Sequence, residues 1–206
     1  MEITKFVAPN SSNTYLITQG KNAVVIDAGG CARSILAKTR EADIKIDAVL
    51  LTHAHFDHIE DVQAYMVSGI PVYIHQVESE WLNDPEQNLS GAFGVAFVAG
   101  AATNNHLLGG ETLQFGEIEI ETIHTPGHTP GGMCYRLGDC LFSGDTLFKE
   151  SIGRYDFPQS SGTQLLQGIR GKLLVLPDTL QVYPGHGAET TIGWEKQNNP
   201  YLGEGW

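Results

Sequence analysis

Residues 52–58 read Thr-His-Ala-His-Phe-Asp-His, between a continuous apolar run and a segment whose apolar residues have helical spacing. This order predicts a buried strand that leads into a helix. Because His53 and His55 are two residues apart, both imidazoles point to one side of the extended strand end. Asp57 and His58 then turn with the chain into the helix. Three histidines and a carboxylate are costly to bury unless something coordinates them, so the pattern predicts a metal site.

The rest of the chain alternates predicted strands and helices with no composition break, so we expect a single domain over residues 1–206. Strand patterns lie at 1–7, 13–18, 22–27, 46–52, 71–75, 113–125, 131–145 and 180–183, with turns at 115–117 and 137–139. Helical patterns lie at 31–42, 57–69 and 162–175, and 83–105 has the composition of a long surface loop. This alternation predicts an α/β fold in which two mixed sheets carry helices on their outer faces.

The charge balance limits the partners that this chain can bind. Twelve Lys and Arg residues against 24 Asp and Glu residues give a formal charge of −12, which opposes binding to nucleic acid or to an anionic membrane surface. The sequence contains no apolar stretch typical of a signal peptide or a membrane span, and its three cysteines have no CxxC spacing. We therefore expect a cytoplasmic protein with a small-molecule partner; the sequence leaves its oligomeric state open.

Three later segments end an apparent strand in a further candidate metal ligand. These residues are His128, Asp145 and His186, and each lies beside glycines that let the backbone approach a site closely. Together with the first cluster they supply five histidines and two aspartates. That set is large enough to bind two divalent cations.

At these positions the chain resembles the metallo-β-lactamase superfamily, whose HxHxDH signature it matches at residues 53–58. The resemblance implies an αββα four-layer sandwich, with two mixed β-sheets flanked by helices and the site at one edge of the sheets. It implies two divalent metal ions, with Zn²⁺ the expected metal and Fe or Mn the alternatives. By this resemblance the ligands of the first metal are His53, His55 and His128, those of the second are Asp57, His58 and His186, and Asp145 bridges the two.

A finer similarity is to short, single-domain glyoxalase II-like hydrolases. It rests on the segments GHTPGGMCY, FSGDTLF, SIGRYDFP and PGHGAETTIGWEKQNNP. The resemblance implies hydrolysis of a thioester such as S-lactoylglutathione, with Arg154 as a substrate-binding residue. A structural ion pair of Arg154 with Asp156 or Glu150 is the alternative. Where the full-length enzymes place glutathione-contacting tyrosines, this chain has Asp156 and Ala188, and it ends at Trp206 without their helical C-terminal domain. We therefore expect a thioester substrate, and a glutathione-derived thioester is one candidate.

Metal-assisted hydrolysis is the mechanism that this ligand set predicts. A hydroxide shared by two cations would attack the thioester carbonyl, and Asp57 and Asp145 are the expected catalytic carboxylates. A thiolate leaves without protonation more readily than an amine, so thioester hydrolysis is favoured over β-lactam hydrolysis. Two further residues are expected to position ligands rather than bind metal: Asp27, at the end of the AVVIDAG strand, and His124.

Other functions remain open on the sequence alone. A persulfide dioxygenase of the same superfamily would hold one iron with His53, His128 and Asp145, all of which are present. Lactonase and phosphodiesterase activities use the same centre. A metal-stabilised binding module without turnover is the non-catalytic alternative, although seven candidate ligands for two ions leave room for solvent.

Overall fold

The computed structural model describes residues 1–100, 103 and 105–203. The chain divides into two compact units, one of residues 1–107 and 113–119 and the other of residues 108–112 and 120–206. That residues 1–206 act as a single domain stays a prediction. Within the described residues, no helix is both long enough and apolar enough to cross a bilayer.

The first unit is built on a six-stranded sheet whose strands follow chain order from edge to edge. The strands are β1 (Glu2–Val7), β2 (Asn13–Gln19), β3 (Asn22–Ile26), β4 (Lys45–Leu50), β5 (Val72–His75) and β6 (Asn105–Leu107). β1, β2 and β3 pair antiparallel, which confirms the predicted opening meander. From β3 to β6 the neighbours are parallel, so the sheet is mixed.

Helices pack against the buried apolar residues of this sheet. They are α1 (Ala32–Glu41), α2 (Phe56–Ile59), α3 (Val62–Val67) and the 3₁₀ helices Gln76–Asn83 and Gly91–Phe93. Ile35 of α1 and Tyr65 of α3 belong to the same buried cluster as Val25 and Val49 of the two central strands. Residues 23–26 of β3 and 48–50 of β4 are buried on both faces, so these parts of the two strands are continuous apolar runs rather than alternating ones.

The single helix predicted over 57–69 is wrong, because the chain breaks into α2 and α3 at Glu60 and Asp61. The break is held from outside the helix. The backbone N–H of Asp61 donates to Ala28 O at 2.8 Å, and the Asp61 carboxylate accepts from the N–H of Ala32 at 2.7 Å. These bonds to the start of α1 replace the helical hydrogen bonds that would have continued α2.

The segment 83–105 was predicted to be a long surface loop, and the structure gives it more order. Asn88 is buried and donates from its side chain to Trp81 O and Phe97 O, at 3.1 and 3.2 Å. The segment contains the short 3₁₀ helix Gly91–Phe93, and the side-chain amide of Asn88 links the backbone before and after it. Residues 101, 102 and 104 of the segment lie outside the described residues.

The second sheet has the strand order β14-β13-β10-β9-β8-β7, with β7 (Thr112–Phe115), β8 (Ile118–His124), β9 (Met133–Leu137), β10 (Cys140–Gly144), β13 (Gln181–Pro184) and β14 (Thr190–Thr191). A separate hairpin joins β11 (Leu147–Phe148) and β12 (Ser151–Ile152). β10 and β13 are parallel, whereas β8, β9 and β10 are antiparallel neighbours, so this sheet is also mixed. The turns predicted at 115–117 and 137–139 are confirmed, with positive φ at Gly116 and Gly138.

The helical part of the second unit is α4 (Gly162–Gly168), a π-helical turn at Ile169–Leu173 and α5 (Ile192–Asn198). Ser161 caps α4 and Thr191 caps α5, each by accepting a backbone N–H. The helix predicted at 162–175 is thus confirmed, and it changes from α-helical to π-helical after Gly168. α5 was missed, as were β6, β11, β12 and β14, because each is short and carries little apolar periodicity.

Candidate metal centre

The first unit brings the side chains of the HxHxDH segment together where β4 ends. His53 and His55 follow the strand, His55 keeps an extended backbone as the N-cap of α2, and α2 carries Asp57 and His58. His53 Nε2 lies 3.0 Å from His55 Nδ1, and His58 Nε2 lies 3.9 Å from Asp57 Oδ2. The three imidazoles are buried. Ring nitrogens facing one another at such short range suit a shared cation better than a solvated loop.

Asp27 holds two of these imidazoles, directly or through Thr52. One carboxylate oxygen accepts the backbone N–H of Thr52 at 2.7 Å. The other accepts the Thr52 hydroxyl at 2.9 Å and lies 2.9 Å from His58 Nδ1. The Thr52 hydroxyl oxygen is in turn 3.1 Å from His53 Nδ1. Asp27 is 1% exposed, so these contacts lie in a dry environment where each has a strong orienting effect.

The acceptors in this network determine which ring nitrogens carry protons. A carboxylate only accepts, so His58 Nδ1 donates to Asp27. The Thr52 hydroxyl gives its single proton to Asp27, and its oxygen therefore accepts from His53 Nδ1. Both rings consequently keep Nε2 as a lone-pair nitrogen, which is the form that binds a metal.

In the second unit, the two candidate histidine ligands lie close to the carboxylate of the third candidate, Asp145. Asp145 Oδ2 lies 3.6 Å from His128 Nε2 and 3.7 Å from His186 Nε2. His128 Nδ1 donates to Arg154 O at 2.7 Å, so the lone pair of His128 is also on Nε2. A carboxylate oxygen between two imidazole nitrogens has the arrangement expected of a bridging ligand.

Strand topology explains why two of these side chains meet. β10 and β13 are parallel neighbours, so their carboxyl ends lie at the same edge of the sheet. Asp145 follows β10 and His186 follows β13, and Gly185 N–H donates to Gly144 O at 2.8 Å between them. Asp145 and His186 are therefore close in space although they are far apart in the sequence.

His124 has a different position from the candidate ligands. Its Nε2 lies 2.9 Å from Pro130 O, and because a carbonyl only accepts, Nε2 carries the proton. Lys172 Nζ donates to His124 O at 2.6 Å. His124 therefore closes the base of the loop that carries His128, and the donating nitrogen is not a metal ligand.

The guanidinium of Arg154 is engaged within the chain. Its Nε and Nη2 donate to the two carboxylate oxygens of Asp156, both at 2.9 Å. This exposed pair holds the pKa of Asp156 below its ordinary value through its hydrogen bonds with Arg154. Arg154 also lies over the Phe157 ring, 4.2 Å from its centroid, and Phe157 meets the His128 ring edge-on at 5.8 Å.

Two residues that organise the first cluster were missed by sequence reasoning. Thr52 lies directly before His53, and this position is the sequence signal that could have identified it. Glu78 is fully buried, and its carboxylate accepts the N–H of Ala54 at 2.7 Å, between His53 and His55. No local pattern marks Glu78, since it lies on a separate 3₁₀ helix.

Among the described residues, each unit offers side chains that could bind a metal ion. They are His53, His55, Asp57 and His58 in the first unit and His128, Asp145 and His186 in the second. Imidazoles and carboxylates are ligands that zinc, iron and manganese all accept. These His and Asp clusters fit a site for two divalent ions.

Residues 7–186 match the family model of the metallo-beta-lactamase superfamily. The chain therefore belongs to the metallo-β-lactamase superfamily, and it is a metal-dependent hydrolase of that fold. The predicted fold class is confirmed. A crystal structure of the BLEG-1 B3 metallo-beta-lactamase matches with a TM-score of 0.93 and 38% identity, covering 98% of this chain and 99% of that one.

Two curated relatives match over nearly the whole chain. The Probable metallo-hydrolase YqgX of Bacillus subtilis is 39% identical over 201 residues, which is 95% of this chain and 94% of the relative. The Hydroxyacylglutathione hydrolase GloC of Haemophilus influenzae is 34% identical over 209 residues, which is 98% of this chain and 97% of the relative.

Proposed function

We propose that this chain is a thioesterase of glyoxalase II type that works with two divalent metal ions, zinc being the expected metal. The observation that carries the proposal is the set of His and Asp side chains whose proton positions are fixed by neighbouring acceptors, so that lone-pair nitrogens remain for metal. The similarity to a hydroxyacylglutathione hydrolase supports the substrate class.

In this proposal one ion is held by His53, His55 and His128 and the other by Asp57, His58 and His186. Asp145 is the ligand common to both, in keeping with its contacts to two histidines. When bound, the two ions supply a water of lowered pKa as nucleophile and polarise the carbonyl of the substrate.

The protein's own part is to hold the ligands in one protonation state and one orientation. Asp27 and Thr52 do this for His53 and His58, and the Arg154 carbonyl does it for His128. Because these acceptors are in place before substrate binds, no proton has to be rearranged within the ligand set during the reaction.

The chemistry of the leaving group favours a thioester. A thiol ionises near pH 8.5, so a thiolate departs with little need for a proton donor. An amide or lactam nitrogen needs a proton to leave, and the imidazoles of this cluster are committed as ligands in the proposal. A β-lactam is therefore the weaker candidate substrate, although the fold is shared with a B3 metallo-β-lactamase.

The test is metal content together with a substrate panel. Purified protein should contain close to two metal ions per chain and hydrolyse S-lactoylglutathione or a related thioester. Asp145→Asn should lower kcat by at least about a hundredfold, whereas Asp139→Asn, an exposed carboxylate in the turn after β9, should leave it unchanged. Full activity after exhaustive chelation would contradict the proposal. So would a panel in which only a persulfide, a lactone, a phosphodiester or a β-lactam is consumed.

A further inference from the structure

We propose that Asp156 determines substrate charge specificity, by occupying the hydrogen-bonding fork of Arg154 so that the site prefers thioesters without a carboxylate in this region. The inference rests on the proposed thioesterase function. It concerns which thioesters are accepted, because the reacting groups lie elsewhere on the chain.

The Arg154–Asp156 contact is a side-on, bidentate ion pair. Nε and Nη2 of the guanidinium each donate to a different carboxylate oxygen, both at 2.9 Å. This planar fork is the arrangement that arginine uses to recognise a carboxylate of a ligand. Here a residue of the same chain, two positions away, already fills it. Phe157 supports the guanidinium from one face, so the arginine is held in the paired orientation.

The backbone segment that carries the pair contacts two candidate ligands of the second unit, His128 and Asp145. The Arg154 carbonyl accepts from His128 Nδ1 at 2.7 Å. Gly153, the residue before Arg154, has no room for a Cβ against Asp145 O and the His128 Cβ. A cavity of about 320 Å³ opens at this place, lined by Ile152, Gly153, Arg154, Tyr155, Asp156 and Tyr201.

The consequence is electrostatic. An unpaired arginine in this cavity would attract an anionic arm of a substrate, whereas the closed pair presents no net charge. A substrate carboxylate that binds the remaining Nη1 edge must also lie near the Asp156 carboxylate, and the two like charges repel. We therefore expect neutral thioesters to be preferred over carboxylate-bearing thioesters of the same size.

The experiment compares two thioesters of one acyl group on the metal-loaded enzyme: the neutral S-acetyl-N-acetylcysteamine and the anionic S-acetyl-3-mercaptopropionate. Wild type should favour the neutral ester. Asp156→Asn should raise kcat/KM for the anionic ester by about three- to tenfold, mainly through KM, because exposed charges interact through screened water. The neutral ester should change by less than about twofold, and the gain should shrink at high salt.

Two variants give matched controls. Asp178→Asn removes one charge from another exposed ion pair of the second unit, with Lys196, and should leave the ratio of the two esters unchanged. Arg154→Gln should weaken the anionic ester further, because Asp156 is then left as an uncompensated charge. An unchanged ratio in Asp156→Asn, with both esters hydrolysed, would overturn this inference and leave the thioesterase proposal standing. If neither ester is hydrolysed but S-lactoylglutathione is, only this inference is overturned; if no thioester is hydrolysed, both proposals are overturned.

Discussion

Asp27 has a backbone conformation that few side chains adopt. Its φ is 60°, in the left-handed region, where aspartate and asparagine are among the better tolerated residues. This backbone conformation directs the carboxylate back toward Thr52 and His58, from which it accepts hydrogen bonds. An extended residue after β3 would point its side chain elsewhere. The positive φ of Asp27 therefore allows its carboxylate to orient His58 directly and His53 through Thr52.

Replacing Asp27 by Asn tests this feature without adding backbone strain. Asn tolerates the same φ but puts an amide N–H₂ where one of the donors needs an acceptor. We expect zinc affinity to fall about ten- to a hundredfold and unfolding free energy to fall by about 1 to 3 kcal/mol. Metal titration and urea unfolding measure the two effects.

Asp43→Asn is the matched control for that substitution. Asp43 also has a positive φ, of 54°, but it is exposed and pairs only with Lys21 among the ion pairs described. It should leave metal affinity unchanged. Equal zinc affinity in Asp27→Asn and wild type would show that Asp27 does not position the ligands.

Cys134 predicts a loss of stability in alkaline solution. Burial raises the pKa of its thiol to about 11, and its hydrogen bond with Thr125 acts in the opposite direction. Because the unfolded thiol ionises first, the stabilising contribution is complete below about pH 8.5 and is lost as the pH rises toward 11. Urea unfolding at about pH 8 and about pH 10.5 should show Cys134→Ser to be less pH-dependent than wild type, by on the order of 2 kcal/mol. Parallel pH profiles would contradict this.

At the scale of elements, the 3₁₀ helix Gln76–Asn83 supports the HxH turn through one buried carboxylate. Glu78 accepts the N–H of Ala54, so the backbone between His53 and His55 is held from a separate part of the chain. Removing the acceptor leaves a buried N–H without this partner, which is costly.

Glu78→Ala should therefore lower the unfolding free energy by about 1 to 3 kcal/mol and weaken metal binding. Glu78→Gln keeps an acceptor oxygen of the same reach, so it is the matched variant and should retain most of both. Metal affinity and urea unfolding, measured on the two variants together, separate the loss of the hydrogen bond from the loss of charge. Identical behaviour of Ala and wild type would refute the supporting role.

The hairpin of β11 and β12 returns Gly153 against the end of β10. A Cβ at Gly153 would overlap Asp145 O, so Gly153→Ala must displace the strand end that carries Asp145. We expect a loss of about 1 to 3 kcal/mol in unfolding free energy and weaker metal binding. Gly171→Ala is the control, since it lies in the π-helical turn with open space around it and should be neutral or slightly stabilising. A fully stable Gly153→Ala variant would contradict the tight packing.

The elements that were predicted correctly are those with strong periodicity. β3, β4 and α1 were confirmed because their apolar positions are determined by burial in one unit. The helix at 57–69 failed because its interruption depends on Asp61 reaching Ala28 and Ala32, which are distant in sequence. β14 and the β11–β12 hairpin are two-residue strands, and no pattern can mark so short a segment.

At the scale of the whole molecule, the candidate ligands were all predicted from sequence. An HxHxDH run after a strand is an unusual pattern, and so are glycine-flanked His and Asp residues at later strand ends. Their supporting acceptors were predicted only in part. Asp27 carried a positional signal, but Glu78 and the Arg154 carbonyl did not, since a buried carboxylate on a remote helix and a backbone oxygen leave no trace in local sequence. For Arg154, the sequence offers an ion pair with Asp156 or Glu150 as the alternative to substrate binding, and the structure has the pair with Asp156.

Metal removal should affect the stability of the entire chain. With a formal charge of −12, the protein gains compensation from two divalent cations as well as coordination bonds. Each ion at a hundredfold excess over its Kd stabilises the fold by about 2.7 kcal/mol, which for a chain of this size is about 5 to 10 °C in Tm. Chelation of both ions should lower Tm by about twice that amount, and added zinc should restore it. Superimposable melting curves with and without chelator would contradict metal binding by the folded chain.

The spacing of the candidate ligands along the chain imposes an order in time during synthesis. His53, His55, Asp57 and His58 emerge together, whereas His186 follows His58 by 128 residues. At translation rates of about 5 to 20 residues per second, that interval lasts about 6 to 26 s. A nascent chain thus presents a cluster of imidazoles to cellular cations well before Asp145 and His186 exist. An ion that binds the nascent chain at this stage would meet four of the seven candidate ligands, and the set is complete only once His186 has been added.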